Sequence, residues 1–524
     1  MKGAVPMGVG DVLRRSALHF PERNALIFEG RATTYSQLDR RVNRLSNGLL
    51  ARGLKKGDRV AAIFHNGPEF FELYFACAKS GGVFVPVNNL LKRRELAQIL
   101  LYIRPRFLIF DPYFSELVED VAPELPFLES KVCLGKDHHG FTSYEDLIGG
   151  ASDREANVPI SGDDLTSIFL TSGTTGRPKG VMRTHYHELV NMMSCALELG
   201  IRYEDRILML FPFYHITFAD HLRHVLMANT IIIRREGGFD PSAVLGLMAD
   251  ERITICQFVP TMINSLLQGG NPKEYDLSHL RMILYAASPM PVELLKKAMQ
   301  TFDCSFAQMY GQTETGPATT CLRPEDHRLK GTEKEIARLA SAGRALMDYE
   351  VRIVNEDGRD MDAGEVGEIV VRSDAMTMGY WELPDETARA IRDGWLHTGD
   401  FGRLDREGYV FIVDRKNDMI ISGGKNIYPR EIEEVIYTHE AVSEVVVIGV
   451  PDDYWGESVK AIVVLKPGRS ATEEEIISLC KDNLAGYKKP KSVEFRSQLP
   501  RSATGKVLKR VIREDYWKGR ERRV

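Results

Sequence analysis

Residues 171–180, with the sequence TSGTTGRPKG, combine four hydroxyl side chains, three glycines and one lysine. They follow an apolar run at residues 168–170 that predicts the end of a strand. Small residues let backbone N–H groups approach phosphate oxygens, hydroxyls donate further hydrogen bonds, and a lysine supplies positive charge. The stretch therefore predicts a strand-end loop that binds the phosphates of a nucleotide.

Two familiar phosphate-binding motifs do not fit this loop. A Walker A motif requires G-x-x-x-x-G-K-[ST], but Pro178 occupies the position of its second glycine and Gly180 follows Lys179. The Rossmann fingerprint fails because Gly173 and Gly176 are spaced differently. A flexible surface loop is the alternative interpretation, but the preceding strand and the closing Arg-Pro-Lys favour phosphate binding.

Length and composition limit the classes of protein to which this chain can belong. A chain of 524 residues is too long for one core, so it predicts two or more domains. Apolar content of 44% and charged content of 27% are ordinary for a soluble globular protein. A net charge of -5 gives no global reason to bind nucleic acid or an anionic membrane. We therefore expect small-molecule partners and no nucleic acid.

Cysteine usage and apolar runs predict the compartment. The seven cysteines are odd in number and form no C-x-x-C pair, so neither a disulfide framework nor a zinc knuckle is predicted. Residues 1–20 carry charges at Asp11, Arg14 and Arg15, so we expect no secretory signal. No apolar run is long enough to span a membrane. We expect a cytoplasmic protein, and its oligomeric state stays open, a homodimer included.

The first two thirds of the chain alternate helix-like and strand-like segments. Residues 69–78 and 94–101 predict helices around a strand at residues 83–87. This alternation predicts an α/β architecture of parallel strands. Further strands are predicted at residues 207–210, 230–233 and 282–284. Between residues 342 and 413, short strands between Gly-rich turns predict a small β subdomain, with strands at residues 350–354, 368–372 and 409–413.

The pattern of predicted helices and strands changes again after Asp414. Pro429 followed by acidic residues predicts the start of a helix, and Thr472 with Glu475 predicts a capping box before another. Strands are predicted at residues 445–448 and 461–464. The domains we predict are an N-terminal α/β domain at residues 1–415 and a mobile α+β domain at residues 416–524.

Five further motifs offer chemistry, each with a plain structural alternative. Residues 310–316, YGQTETG, provide a ring, a hydroxyl and a carboxylate, or a polar turn. Residues 286–290, AASPM, are small enough for a flat base to lie on the backbone, or form a tight strand-to-helix turn. Residues 395–400, WLHTGD, end in a carboxylate that can accept two ribose hydroxyls. Residues 421–429, ISGGKNIYP, contain two glycines that allow a close approach to the backbone, or they form a hairpin turn, and residues 500–506, PRSATGK, carry a lysine that would be merely solvated if it stood alone.

These motifs, in this order, resemble those of the acyl-adenylate-forming superfamily, which includes acyl-CoA synthetases, firefly-type luciferases and adenylation domains. The resemblance extends from residue 34 through Lys506. It implies that ATP, Mg²⁺ and coenzyme A are bound, and that a carboxylic acid becomes an acyl adenylate and then acyl-CoA, with AMP and pyrophosphate released. It also implies rotation of the C-terminal domain about a hinge at Lys416 and Asn417. Asn417 departs from the Asp or Lys of many relatives, which leaves the charge interactions of the hinge open.

The resemblance assigns roles to single residues. It implies that Lys506 enters the active site for adenylation and that Thr313 contacts the α-phosphate. Glu314 and Thr171 would hold Mg²⁺, a cation that prefers hard oxygen ligands and keeps several waters. His215 would lie at the entrance of the acyl pocket, although its apolar surroundings also fit a buried core histidine. Lys506, Thr313, Glu314 and His215 are the predicted catalytic residues.

The resemblance also implies the nucleotide and coenzyme A contacts. Asp400 would bind the ribose, Arg415 the ribose and phosphate region, and Tyr310 would stack near the adenine. The remaining predicted contacts are Thr171, Ser172, Gly173, Thr174, Thr175, Lys179, Ala287, Ser288, Gly311, Gln312, Gly423, Gly424 and Lys425.

Two other functions stay open: an adenylating enzyme with a different acceptor, and a non-catalytic nucleotide or acyl-CoA sensor. The glycine loop after the hinge favours coenzyme A, and the intact Lys179, Glu314, Asp400 and Lys506 argue against a sensor. Segments 214–220, 257–262 and 285–309 are predicted to line the acid pocket. They offer no obvious partner for a second charge, so we expect a medium-sized fatty, cyclic or aromatic monocarboxylate.

Overall fold

The computed structural model describes residues 8–135, 140–172, 178–235, 237–415, 418–502, 505 and 507–518. The helices in chain order are α1 (Val9–His19), α2 (Tyr35–Ala51), α3 (Pro68–Ser80), α4 (Arg93–Ile103), α5 (Ser115–Val121), α6 (Tyr144–Gly149), α7 (His185–Glu198), α8 (Thr217–Leu226), α9 (Pro241–Asp250), α10 (Pro260–Gly269), α11 (Val292–Thr301), α12 (Glu333–Ala337), α13 (Pro384–Ala390), α14 (Pro429–Tyr437), α15 (Glu473–Asn483) and α16 (Lys509–Glu514). Among the described residues, no helix is long and apolar enough to cross a membrane.

The strands in chain order are β1 (Asn24–Phe28), β2 (Arg31–Thr34), β3 (Arg59–Ile63), β4 (Val83–Pro86), β5 (Phe107–Phe110), β6 (Ser130–Cys133), β7 (Thr142–Ser143), β8 (Leu165–Ser172), β9 (Pro178–Thr184), β10 (Arg206–Met209), β11 (Thr230–Ile233), β12 (Ile255–Phe258), β13 (Met282–Tyr285), β14 (Ser305–Tyr310), β15 (Thr320–Leu322), β16 (Arg344–Ala345), β17 (Tyr349–Val354), β18 (Gly367–Ser373), β19 (Ile391–Arg392), β20 (Trp395–Leu404), β21 (Val410–Arg415), β22 (Ile420–Ser422), β23 (Lys425–Ile427), β24 (Val442–Asp452), β25 (Gly456–Leu465) and β26 (Ser492–Phe495).

Two large sheets form the first part of the chain. One has the order β16-β15-β14-β13-β12-β10-β11-β1-β2, and its central strands from β14 to β1 are parallel. The other has the order β7-β6-β5-β3-β4-β8-β9 and is parallel except for the last pair. Strands such as β5 and β13 are buried at every position, as expected where both faces of a parallel sheet are covered. The predicted α/β architecture is confirmed.

One edge of the nine-stranded sheet collects the predicted motifs. Because β10, β12, β13 and β14 are parallel neighbours, their carboxyl ends meet at this edge. Residues 286–290 follow β13 directly, and residues 311–316 follow β14. In open α/β sheets, ligands bind in the crevice outside the carboxyl ends of the strands.

Strands β8 and β9 flank the predicted phosphate loop and form an antiparallel pair, whereas the sequence predicted only the strand that precedes the loop. Thr171 pairs with Lys179, and Ser172 pairs with Pro178, so β8 includes two residues of the predicted loop and β9 includes three. Gly173, Thr174 and Thr175 lie outside the described residues. Antiparallel pairing fixes the backbone on both sides of residues 173–177, which a single strand could not do.

Two smaller sheets follow. Strands β17 to β21 form an antiparallel sheet, which confirms the strands predicted between residues 342 and 413. Strands β22 to β26 form a mixed sheet, in which only β25 and β26 are parallel, and α14 and α15 flank it. Thr472 accepts a hydrogen bond from the Glu475 backbone, and Glu475 accepts one from Thr472 at 2.7 Å, as the capping box predicts. The domain boundary at residue 415 stays a prediction.

Candidate active site

Asp400 is the centre of a hydrogen-bonded group that joins three segments of the chain. Its carboxylate, 4% exposed, lies in β20. Tyr310 Oη and Gln312 Nε2 each donate to Asp400 Oδ2 at 2.8 Å, and Arg415 Nε lies 3.3 Å from Oδ1. Gln312 Nε2 also donates to the Thr398 carbonyl at 2.9 Å. Four of the predicted nucleotide contacts are therefore brought together.

The Tyr310 hydroxyl is held in its donor form. Burial, with the adjacent Asp400 charge as a further cause, raises the pKa of Tyr310 well above its usual value. Glycine is required at Gly311, where a Cβ would lie 2.3 Å from the Pro317 carbonyl oxygen. The 310–316 turn is thus folded tightly against its own end, and Thr313 accepts a hydrogen bond from Gly316 N at 3.3 Å within it.

Glu314 and Lys179 are linked through Tyr380, which the sequence did not single out. Tyr380 Oη donates to Glu314 Oε1 at 3.0 Å. Lys179 Nζ lies 4.8 Å from the centroid of the Tyr380 ring and 2.7 Å from Glu386 Oε2 in α13. Burial raises the pKa of Glu314 despite the opposing bond from Tyr380. A half-buried carboxylate that a tyrosine hydroxyl holds in place is suited to a cation.

The donor set fits Mg²⁺ better than a metal caged by protein ligands. The described residues contain no group of three or more His, Cys, Asp or Glu that could hold a metal ion. Mg²⁺ is usually bound through one or two carboxylates together with substrate phosphates and waters. Glu314 supplies one such carboxylate, and Thr171, whose hydroxyl lies 3.4 Å from the Lys179 carbonyl oxygen, supplies a neutral oxygen.

The turn after β13 is conformationally strained. Ala287 has a φ of 72°, which is uncommon for a residue with a Cβ. Non-glycine residues in this region cost free energy and cluster at functional sites. Ala287 is exposed and Ser288 is half-buried at the sheet edge. Their placement fits the predicted contact with a flat base.

His215 lies between β10 and α8, with its ring 5.2 Å from that of Tyr214. Burial lowers the pKa of His215 to about 4. The imidazole is therefore neutral at physiological pH and cannot attract a carboxylate by charge. Its predicted place at the entrance of the acyl pocket stays a prediction.

Gly423 and Gly424 form the turn between β22 and β23, as the hairpin alternative anticipated. Their φ angles are 56° and 72°, and a Cβ on Gly423 would lie 2.5 Å from Trp455 Cε3. Lys425 follows these glycines in the chain, and its Nζ lies 4.3 Å from the centroid of the Tyr487 ring. This turn belongs to the C-terminal sheet and not to the Asp400 group.

Lys506 lies outside the described residues, as do Lys416 and Asn417, but its neighbour Gly505 is described. A Cβ on Gly505 would lie 3.2 Å from Thr261 Oγ1 and 3.3 Å from Val259 Cγ2. Arg501 Nη1 donates to the Gly505 carbonyl at 2.8 Å. Gly505 therefore lies beside the large sheet where β12 ends and α10 begins, at the edge where residues 286–290 and 311–316 also lie.

The comparisons with known proteins show the family of this chain. Residues 13–381 match the family model described as AMP-binding enzyme, and residues 431–506 match the AMP-binding enzyme C-terminal domain. This chain belongs to the AMP-binding enzyme family. The relatives of this AMP-binding enzyme include the feruloyl-CoA synthase of an Amycolatopsis species, which is 37% identical over 511 residues, 97% of this chain and 99% of the relative.

Two further comparisons cover almost the whole enzyme. A long-chain-fatty-acid–CoA ligase of Mycobacterium tuberculosis is 36% identical over 510 residues, 97% of this chain and 98% of the relative. The crystal structure of an anthranilate CoA ligase with anthranoyl-AMP matches at a TM-score of 0.90, with 28% identity and 98% of each chain covered. This AMP-binding enzyme is an AMP-forming acyl-CoA synthetase, which activates a carboxylic acid with ATP and transfers the acyl group to coenzyme A.

Proposed function

We propose that the group around Asp400 binds the nucleoside of ATP and that Lys179, Thr171 and Glu314 hold its phosphates. The convergence of Tyr310, Gln312 and Arg415 on Asp400 carries this proposal, because it places a buried carboxylate among fixed donors at the edge of the sheet. Asp400 Oδ1 accepts ribose hydroxyls. The Ala287 turn and the Tyr310 ring hold the adenine.

The phosphate end of ATP must be screened before a carboxylate can approach it. In the structure, Lys179 pairs with Glu386. A polyphosphate carries more negative charge than this carboxylate and is therefore the stronger partner for Lys179. Mg²⁺, when bound, would neutralise part of the phosphate charge. Glu314 and Thr171 orient its coordination shell, and the hydroxyls of Ser172, Thr174 and Thr175 donate to the tail phosphates.

The bond change is proposed to occur between the 310–316 turn and the 500–506 segment. Thr313 contacts the α-phosphate, and Lys506 bridges that phosphate and the incoming carboxylate, where negative charge builds in the transition state. The position of Gly505 beside Thr261 supports this placement of Lys506. His215 lines the entrance for the acid. Acyl adenylate and pyrophosphate are the products.

The second half-reaction uses the other face of the C-terminal domain. The domain, residues 416–524, rotates about the hinge so that Gly423 and Gly424 replace Lys506 at the adenylate. Two glycines with positive φ leave room for the pantetheine arm, and Lys425 follows them. The coenzyme A thiol attacks the acyl carbonyl, and AMP leaves.

The acid is proposed to be a medium-sized monocarboxylate, because named relatives act on ferulate, anthranilate or long-chain fatty acids. A reducing cytoplasm and a homodimer also remain proposals. All seven cysteines are unpaired, and six are buried, which supports the first of these.

Acid-dependent ATP–pyrophosphate exchange tests the proposed function. We expect the purified protein to catalyse exchange with at least one member of a panel of fatty, cyclic and aromatic acids, and to form the matching CoA thioester by mass spectrometry. Exchange without thioester formation would instead support an adenylating enzyme that uses a different acyl acceptor. Nucleotide binding without exchange would support a sensor and contradict the proposal.

Replacing Tyr380 by phenylalanine should shift the pH profile. The Tyr380 hydroxyl lowers the pKa of Glu314, and burial raises it, so loss of the hydroxyl raises that pKa further. Glu314 must be ionised to help hold Mg²⁺. The acid limb of kcat/KM for MgATP should therefore move to higher pH, with a higher Mg²⁺ requirement. Tyr113→Phe, at a side chain 78% exposed, is the matched control, and an unmoved acid limb would contradict the role of Glu314.

A further inference from the structure

A cavity of about 440 Å³ opens at the amino end of strand β14. Its walls are mostly apolar and are formed by Met299, Phe306, Pro324 and Leu329, together with the ring of His327. The exposed Lys330 also borders it. Sites for small molecules have this order of volume, and a few polar groups among apolar walls orient the ligand. The cavity is therefore large enough for a small organic ligand.

This cavity is separate from the candidate active site. Met299 lies near the end of α11, and Phe306 is the second residue of β14, whereas the 310–316 turn begins at the far end of that strand. Six strand residues span about 17 Å. Met299 and Phe306 belong to the segment predicted to line the acid pocket, but no residue that lines the cavity is among the predicted catalytic, nucleotide or coenzyme A contacts. The cavity therefore has no role in the proposed reaction.

One wall of the cavity, His327, is hydrogen-bonded to the neighbouring strand β13. His327 Nδ1 lies 2.9 Å from the Arg323 carbonyl oxygen, which can only accept, so Nδ1 carries the proton. Burial lowers the pKa of His327 to about 4, so the ring is neutral and Nε2 accepts from the Tyr285 hydroxyl at 3.0 Å. The two rings also meet edge to face, with centroids 5.7 Å apart. The positions of His327 and Tyr285 are therefore tied together.

Tyr285 is the last residue of β13 and directly precedes the turn proposed to hold the adenine. Ala287, two residues further on, has the strained φ of 72°. Strained backbone persists only where the surrounding structure determines it. The bond from Tyr285, which is fully buried, to His327 helps to fix this end of the strand. A ligand in the cavity lies against His327 and can therefore act on the Ala287 turn.

The charge at the cavity favours an anionic ligand. Lys330 is the one charged side chain among the described residues that line it, since His327 is neutral and none of the others is acidic or basic. In the part of the chain that the structure describes, the nearby exposed cations Arg328 and Lys334 each pair with a glutamate, whereas Lys330 has no such partner. An apolar cavity bordered by one unpaired cation matches an apolar molecule with a single negative charge.

We propose that this cavity is an effector site for an apolar monoanion, which strengthens ATP binding through His327 and Tyr285. The apolar body packs between Met299 and Phe306, and the anionic group pairs with Lys330. Contact with His327 favours the conformation in which the bond to Tyr285 is made, and that conformation holds the adenine turn. A ligand shifts an equilibrium only by its different affinities for the two states, and the coupling is reciprocal. The coupling rests on the proposed nucleotide site, whereas binding in the cavity does not.

Two apolar sulfonates test binding in the cavity, because without a carboxylate they cannot become acyl adenylates. The protein is titrated with the fluorescent dye 1-anilinonaphthalene-8-sulfonate, which is then displaced by octane-1-sulfonate or by the uncharged octan-1-ol. We expect the sulfonate to bind at least about 5-fold more tightly than the alcohol, and Lys330→Glu to remove this difference. Met299→Trp, which fills the cavity, should abolish displaceable dye binding. Lys92→Glu, at an exposed lysine before α4 on the other large sheet, is the control and should change nothing. Binding that neither Lys330→Glu nor Met299→Trp alters would overturn the effector site.

Calorimetric titration with ATP, with and without saturating octane-1-sulfonate, tests the coupling. We expect the sulfonate to lower the Kd for ATP by at least about 5-fold, within the usual range of coupling between sites. Tyr285→Phe should keep dye binding and lose this effect, and Met299→Trp should lose both. Tyr144→Phe, which removes a buried hydroxyl bonded to Glu72, is the matched control and should keep both. An unchanged or higher Kd, or an effect that survives in Tyr285→Phe, would overturn the coupling. If ATP binds under neither condition, the proposed function fails, and the dye titration still decides the effector site.

Discussion

Replacing Lys506 by alanine should lower acid-dependent ATP–pyrophosphate exchange by about 10²–10³-fold, the usual effect of losing one preorganised donor at a developing charge. Gly505 lies beside Val259 and Thr261, because a Cβ there would be 3.3 Å from Val259 Cγ2 and 3.2 Å from Thr261 Oγ1, next to the region proposed to hold the acid. Arg501 fixes the segment through the Gly505 carbonyl and through an ion pair with Glu444. A lysine on this anchored segment can meet the carboxylate and the α-phosphate at once.

The two half-reactions separate this role from a structural one. Conversion of a preformed acyl adenylate and coenzyme A to thioester should proceed at nearly the unmodified rate in Lys506→Ala, because the proposed rotation removes Lys506 from the site before this step. Lys481→Ala, an exposed lysine on α15, is the control and should change neither rate. Equal losses in both half-reactions would indicate a folding or docking defect and would refute the assignment.

The sequence predicted several strands of the large sheets, such as β4, β11 and β13, because they are largely apolar runs. It predicted the phosphate loop as a strand-end loop because hydroxyls and glycines dominate its composition. Antiparallel pairing of Thr171 with Lys179 depends on backbone hydrogen bonds across the tip, and composition carries no signal for them. The sequence therefore predicted a loop at residues 171, 172 and 178–180, whereas the structure places them in paired strands.

Only part of the candidate site could be predicted from the sequence. Asp400 and Tyr310 were each predicted from a short motif, but their hydrogen bond joins residues 90 positions apart. Tyr380 and Glu386 were missed because a single aromatic and a helix-start glutamate have no distinctive spacing. Their roles arise from where β9 and α13 pack, and this is a property of the tertiary fold.

The sequence did not predict the Arg183–Glu188 ion pair either. We expect its disruption to have the largest effect on the stability of the protein. Arg183 Nε lies 2.6 Å from Glu188 Oε1, and both side chains are 0% exposed. Arg183 Nη1 also donates to the Ala375 carbonyl at 3.3 Å, and a Cβ on Gly316 would lie 3.1 Å from it. The Arg183 guanidinium of this pair therefore lies next to Gly316, the last residue of the 310–316 turn.

Replacing Arg183 by methionine should destabilise the protein by about 3–5 kcal/mol, because Glu188 is left charged and buried without a partner. Urea denaturation of the full chain measures this as a lower midpoint. Arg14→Met, which removes an exposed pair with Asp11, should cost less than about 1 kcal/mol.

The double variant Arg183→Met with Glu188→Leu tests the electrostatic cause. Removing both charges eliminates the desolvation penalty, and apolar replacements of buried ion pairs are often neutral or stabilising. Most of the lost stability should therefore return, while the Ala375 carbonyl still lacks its donor. If the double variant were as unstable as Arg183→Met, side-chain packing and the Ala375 hydrogen bond would account for most of the lost stability. Recovery of stability with weakened ATP binding would instead show that Arg183 positions the 310–316 turn for the nucleotide.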